Sequence, residues 1–236
     1  MKLKDIEFKD LCLFFPKEKI LVLGDIHLGY EEALNKKGMY IPRFQFKDTL
    51  KKLYSILDGL KLKKIIILGD LKHEFGTISS SEWLQTKKLL DFLYNYCEEI
   101  ILIKGNHDTI LGHLSDKVIV KDYVKISDTY LCHGHKIPTD KDFNKCKRII
   151  IGHEHPAINL KYDSHIEKFK CFMHGKYKDK EIIVLPSFNL VIEGTNILSS
   201  KLLSPFLKDI ENFKIYIVSD NSEILDFGTV KELRNL

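Results

Sequence analysis

The chain has 236 residues, a formal net charge of +4, 44% hydrophobic and 30% charged residues, ten His and five Cys. That length buries a substantial core, roughly 70% of the unfolded surface, and the apolar fraction excludes a wholly disordered chain. No apolar run approaches the ~20 residues that cross a bilayer, and Met1–Asp10 lacks a signal-peptide core, so a soluble cytoplasmic protein with no membrane role is expected. Cys12, Cys97, Cys132, Cys146 and Cys171 are irregularly spaced with no C-x-x-C, which predicts reduced thiols rather than a disulfide framework or a thiolate zinc site. The lysines are scattered, so the small positive excess establishes no nucleic-acid footprint.

The first predicted strand, Lys19–Leu23, runs into Gly24-Asp25-Ile26-His27. Phe46, Leu50, Leu53, Tyr54 and Leu57 then recur at helical spacing, with Gly59 as a stop. A second apolar run, Lys64–Leu68, ends at Gly69-Asp70, with His73 three residues on. Ser81 is expected to cap a helix through Trp83, Leu89, Leu90 and Leu93 that ends near Cys97. The third run, Ile100–Lys104, meets Gly105-Asn106-His107-Asp108. Strands alternating with helices imply right-handed βαβ units and a largely parallel start. From Val118 the spacing tightens: Val118–Val120, Tyr123–Ile126 and Thr129–Cys132 read as strands, the last followed by His133-Gly134-His135. Arg148–Ile151 leads into Gly152-His153-Glu154-His155. Two hairpins are expected, Lys168–Met173 with Glu181–Leu185 and Lys214–Ser219 with Ile224–Phe227. The second half is therefore predicted to be mainly antiparallel, in a second sheet. With no linker or repeat, residues 1–236 are expected to form one domain.

Ligands of α/β folds collect at the carboxyl ends of strands. Five such ends here carry aspartates, an asparagine and histidines, and seven of the ten His lie within a few residues of one. Each motif alone has a bland reading: Asp-x-His is commonly a turn with a hydrogen-bonded His, and Gly-Asn-His-Asp is turn chemistry. The ordered conjunction of all five is far more specific. Carboxylate, amide oxygen and imidazole without thiolate suit ions such as Mn, Fe, Co, Ni or Zn with open coordination positions.

This ordered set resembles the calcineurin-like metallophosphoesterase superfamily. The resemblance is closer to its ICC-like, DNA-ligase-associated branch, through Asp25-Ile-His-Leu-Gly-Tyr-Glu, Gly38 to Pro42-Arg43, Gly69-Asp-Leu-Lys-His73, Gly152-His-Glu-His-Pro156 and Leu185-Pro-Ser-Phe-Asn189. It covers about Leu21 to Gly194 and implies an α/β (α+β) fold, a four-layer αββα sandwich with two mixed β-sheets. It further implies two adjacent divalent ions, Mn foremost. Asp25, His27 and His155 would hold the first, Asp70 would bridge, and Asn106, His133 and His153 would hold the second. His107 would face the substrate and give a proton to the leaving oxygen, with Asp108 orienting its ring. Two ions roughly 3.5–4 Å apart activate a bridging water as hydroxide and clamp an in-line displacement at phosphorus.

The neighbours have two readings each. His73 is either substrate-facing or a surface histidine; His135 is a phosphate contact or support for the ligands, and competes with His133 for the metal. Arg43 is either a phosphate fork or a solvated residue opening the next helix. His113, His165 and His174 are expected to be structural or exposed, Glu154 to point away from the metals, and Trp83, Phe92 and Tyr94 to be core. The expected partner is a phosphoester substrate, phosphodiester or phosphomonoester. A nucleotide or short nucleic acid falls within that range, because so few residues follow His155 that a large duplex grip is not expected. The alternative from another class is a non-catalytic interaction scaffold of the same fold.

Overall fold

A computed structural model describes residues 1–74, 79–108, 118–162 and 165–235. In chain order the first strands are β1 (Lys2–Leu3), β2 (Ile6–Lys9), β3 (Cys12–Phe15) and β4 (Ile20–Leu23), followed by α1 (Tyr30–Lys36) and α2 (Gln45–Leu57). Next come β5 (Leu62–Ile67), α3 (Ser80–Leu93), β6 (Cys97–Ile103) and β7 (Val118–Lys121). Among the described residues these seven strands form one sheet in sequence order, antiparallel from β1 to β4 and parallel from β4 to β7.

The second sheet takes β8 (Val124–Ile126), β9 (Thr129–Leu131), β10 (Arg148–Ile151), β11 (Pro156–Tyr162), β12 (His165–Tyr177), β13 (Lys180–Val184), β14 (Thr195–Asn196), β15 (Lys214–Val218) and β16 (Ile224–Thr229). Two short helices accompany it, α4 (Lys141–Lys145) and α5 (Val230–Arg234).

Alternation along the second sheet builds the layers. Ile150, Phe172, Ile183 and Tyr216 face the first sheet and share its core. Their neighbours Ile149, Ile151, Cys171, Met173, Ile182, Val184, Ile215 and Ile217 face the other way, onto Phe143 of α4 and Val230 and Leu233 of α5. On the far side of the first sheet lie α2, through Leu53, Ile56 and Leu57, and α3, through Leu89, Leu90 and Leu93. Phe8 joins the two sheets, edge-on to Phe172 at 4.8 Å between ring centroids. The result is the expected four-layer sandwich of two mixed sheets.

Four expectations change. The first sheet opens with three antiparallel strands rather than a parallel run, and those strands lie in the N-terminal segment that carried no strong pattern. Val118–Lys121 joins that sheet parallel to β6 and is not part of the second half. The second sheet is mainly antiparallel as expected, but its centre is not, because β10 lies between β9 and β13 in parallel register, and β14 adds parallel to β11 at one edge. The cap of α3 is Ser79, not Ser81. Ser79 accepts from Glu82 N while the Glu82 carboxylate reaches back to Ser79 N, and Ser81 instead bonds Glu32.

Three parallel strands in each sheet, β4–β6 and β9, β10 and β13, send their carboxyl ends to the same edge of the sandwich. The loop after β13 ties those edges together. Phe188 N donates to Gly24 O at 2.9 Å and Asn189 N to Asp25 O at 3.1 Å. No helix among the described residues is long and apolar enough to cross a membrane.

Candidate metal centre

Three of the strand-end motifs turn sharply through ligand-type residues as they leave their strands. Asp25, His27, Asp70, His153 and His155 all have positive φ, between 49° and 68°. That left-handed conformation costs an ordinary residue roughly 1–2 kcal/mol, so five such residues mark a backbone bent to aim side chains. The bends are fixed by cross-strand bonds: Asp25 N to Gly69 O, His27 N to Asp70 O and Gly152 N to His133 O. Two glycines make room. A Cβ on Gly105 would lie 2.1 Å from Asp70 Oδ1, and one on Gly152 would lie 2.4 Å from Asp25 Oδ2.

Two donor groups result. In one, His155 Nε2 is 3.3 Å from both Asp25 Oδ1 and His27 Nε2. In the other, His133 Nε2 lies 3.3 Å from Asp70 Oδ2, 3.0 Å from Asn106 Oδ1 and 3.1 Å from His153 Nδ1. Asp70 Oδ2 also faces the first group, 3.7 Å from His27 Nε2. Both sheets contribute to both groups.

These residues fit metal cations. Nitrogen and oxygen lone pairs converge at 3.0–3.3 Å, a spacing that suits neighbouring donors on an ion bound at about 2.1 Å. The tautomer of His133 is set from behind: its Nδ1 is 2.7 Å from Leu68 O, which can only accept, so Nε2 is left to bind. All five cysteines are buried and free, and none joins either donor group.

The charges agree with that chemistry. Burial pushes His27 down to about 3, with the charge of His155 adding to it. Burial likewise lowers His153 to about 4, helped by His133. Both imidazoles are therefore neutral, as ligands must be. Burial opposes a proton on His133 too, but its hydrogen bond to Asp70 and the charge of Asp25 prevail and lift it to about 9. Asp25 and Asp70 stay ionised despite burial, held low chiefly by His155 and His133 respectively.

Beside the donors, His107 Nδ1 faces His73 O at 2.5 Å, and the two rings stack at 5.4 Å. His27, His73 and His107 also bring ring nitrogens close together, so His73 belongs to the site edge rather than to a remote surface. Tyr30 packs edge-on to His73 at 4.7 Å. His135 lies 5.3 Å ring to ring from His133, next to the second group but outside it. Asp108 does not take the expected role with its hydrogen bonds. Its oxygens accept from Leu71 N and Gly105 N, bracing the turn that holds Asn106. Glu154 points away as expected, accepting from Leu203 N and Ser204 N. Arg43 is exposed, on the segment between α1 and α2. His165 is exposed, His174 pairs with Glu181, and His113 lies outside the described residues.

Leu185-Pro-Ser-Phe-Asn189 has no assigned role from the sequence alone, and the fold supplies one. Ser187 Oγ donates to Asp25 O at 2.9 Å, and the Lys170 ammonium donates to Ser187 O at 2.8 Å and to Asn189 O. Burial lowers that ammonium to about 7. Gln45, at the start of α2, adds 3.0 Å and 3.2 Å bonds to His27 O and Ile26 O. A Pro-Ser-x-Asn run just after a buried strand was the available signal.

The calcineurin-like phosphoesterase family model matches residues 18–219. The chain belongs to that family. Among solved structures, the Pseudomonas putida nuclease MPE is 19% identical with a TM-score of 0.65, and the match covers 92% of each chain. Yfce, a phosphoesterase from E. coli, is 13% identical over 89% of this chain and 98% of its own, with a TM-score of 0.42. Wild-type Vps29 of Entamoeba histolytica, complexed with zinc, is 17% identical over 89% and 99%, with a TM-score of 0.36. The family makes this a metal-dependent phosphoesterase fold, and the donor groups fall where its strands end.

Proposed function

We propose that the chain is a phosphodiesterase that holds two divalent cations side by side. The observation that carries this reading is Asp70 Oδ2, which faces His133 Nε2 in one donor group and His27 Nε2 in the other. Asp25, His27 and His155 would hold one ion and Asn106, His133 and His153 the other, with Asp70 shared. Mn suits this mixed nitrogen and oxygen set, and Fe, Co, Ni or Zn share the same chemistry. When bound, the pair supplies Lewis acidity at the phosphoryl oxygens and activates water for in-line attack.

The chain's own residues do the remainder. The His73 carbonyl accepts from His107 Nδ1 and orients the ring; in its imidazolium form His107 would give the Nε2 proton to the departing oxygen. Asp70 Oδ1 accepts from His107 N at 3.0 Å, so the shared carboxylate and the proton donor are placed by one bond. His73 and His135 flank the donors on opposite sides and can hold the non-reacting phosphate oxygens. A nuclease of the same fold is consistent with a diester substrate. Hydrolysis of either ester expels an alkoxide or phenoxide, and an alkoxide gains from protonation, which gives His107 a task.

The test is Mn-dependent hydrolysis of bis(p-nitrophenyl) phosphate beside p-nitrophenyl phosphate. The expected result is turnover of both with the diester preferred. Preference for the monoester would make the chain a phosphatase, and turnover of neither would return it to the scaffold reading.

A further inference from the structure

The segment between α1 and α2 shows side chains that folding does not explain. Tyr40 is 92% exposed, Phe44 61% and Met39 49%, although aromatics normally bury their faces. The segment itself is firmly held. Asn35 bonds both ways with Ile41, through Oδ1 to its N at 3.1 Å and Nδ2 to its O at 3.0 Å. Glu31 accepts from Phe44 N and Gln45 N at 2.9 and 2.8 Å. A backbone fixed this way presents two aromatic rings outward in a set position.

Both ends of the segment are rooted in the metal centre. It leaves α1, whose Tyr30 touches His73, and it returns at Gln45, which bonds the carbonyls of Ile26 and His27. Phe44 is the residue next to Gln45, so one of the two rings is only one residue away from a side chain that bonds the backbone of the His27 turn. The cations there are Lys36, Lys37 and Arg43, with Lys36 paired to Glu32 at 3.8 Å. The Lys37 charge reaches His73 itself.

Aromatic faces beside cations, a short step from a phosphoester site, are what bind a strand with unpaired bases: rings stack on bases and cations follow the phosphates. We infer that residues 37–44, through Tyr40 and Phe44, form a stacking platform for a single-stranded nucleic acid whose scissile phosphate lies at the donor groups. This rests on the phosphodiesterase reading and goes beyond it by naming where substrate is gripped. A protein or a membrane would also cover exposed aromatics, but neither accounts for a segment anchored at both ends to the catalytic loops.

The test measures binding of fluorescein-labelled phosphorothioate (dT)12 to the Mn-loaded full chain by anisotropy. Tyr40→Ala with Phe44→Ala is expected to weaken binding at least about tenfold, and Tyr40→Phe with Phe44→Tyr to keep it within about twofold. Both positions are exposed, so the melting temperature checks that folding is intact. The platform is overturned if the double alanine variant binds as tightly as the parent, or if the aromatic swap loses as much as the alanines. It is equally overturned if the parent ignores (dT)12 yet binds phosphatidylserine vesicles through these residues. Bis(p-nitrophenyl) phosphate has no bases, so its hydrolysis by the parent chain judges the phosphodiesterase reading separately.

Discussion

Two histidine–carboxylate clusters in this molecule look alike in composition and differ in what they can do. At the strand-end face, ring nitrogens and carboxylate oxygens point at one another from backbones forced into left-handed turns. At the other, His174 Nε2 meets Glu181 at 2.9 Å, Glu181 meets Arg148 at 2.7 Å, and Arg148 meets Asp5 at 2.9 Å. There each negative group faces a donor, and no residue of the chain of contacts has a positive φ. The second cluster is a satisfied ion network beside a cleft of about 660 Å³. What marks a cation site is lone pairs facing lone pairs on a strained frame, not the presence of His with Asp or Glu.

The sharpest way to break this contrast is to remove the shared oxygen. Asp70→Asn is expected to lower turnover by at least about 10³-fold and to lose metal with it. His107→Ala should keep its metal and lose about 10²- to 10⁴-fold in rate on a diester with a poor, alkoxide leaving group, because only proton transfer is removed. Metal content and single-substrate kinetics on the same preparations separate the two. If His107→Ala loses metal as fully as Asp70→Asn, the assigned role of His107 is wrong.

Supporting residues should show smaller effects in a graded order. Gly152→Ala places a Cβ against Asp25 Oδ2 and should cost more than tenfold in metal affinity, as should Ser187→Ala, which releases Asp25 O from the loop beneath it. Calorimetric titration with Mn checks both. The same titration should weaken as pH falls below about 9, since a cation must displace the proton that Asp70 holds on His133. A pH-independent affinity between 7 and 9 would contradict that assignment.

Lys170 gives a stability counterpart. Its ammonium sits at about 7 in the folded chain against 10.5 in an unfolded one. The unfolded state therefore holds the extra proton between those values, and stability should rise with pH across that window. Lys170→Met should flatten the rise, as denaturant melts at several pH values would show. At the satisfied cluster, His174→Ala is expected to leave metal content and turnover unchanged and to alter stability by about 1 kcal/mol or less.

The two clusters also show what sequence can and cannot convey. The strand ends were legible because buried Ile, Leu and Val runs stop at Gly followed by a ligand-type residue, which is a local pattern. So were α2 and the β15–β16 hairpin. The strands β1 to β3 were not, because two to four residues are too few to set a pattern apart: Ile6–Lys9 alternates over only four positions and Cys12–Phe15 is uniformly apolar. Ser79 was missed as a cap although Glu82 stands three residues after it; three adjacent serines hid which one closed the box. Ser187, Asn189 and Lys170 support Asp25 only because the two sheets meet, and no spacing in the chain encodes that meeting. The idle state of His174 was equally invisible, since it depends on Arg148 and Glu181 arriving from two other strands.

The central claim is a pair of cations sharing Asp70, and the most direct measurement is elemental analysis of the chain after reconstitution with Mn and removal of free ion. Two Mn per chain in the parent, falling below one in Asp70→Asn, is the predicted result. Fewer than one per chain in the parent, or two retained in Asp70→Asn, would contradict it.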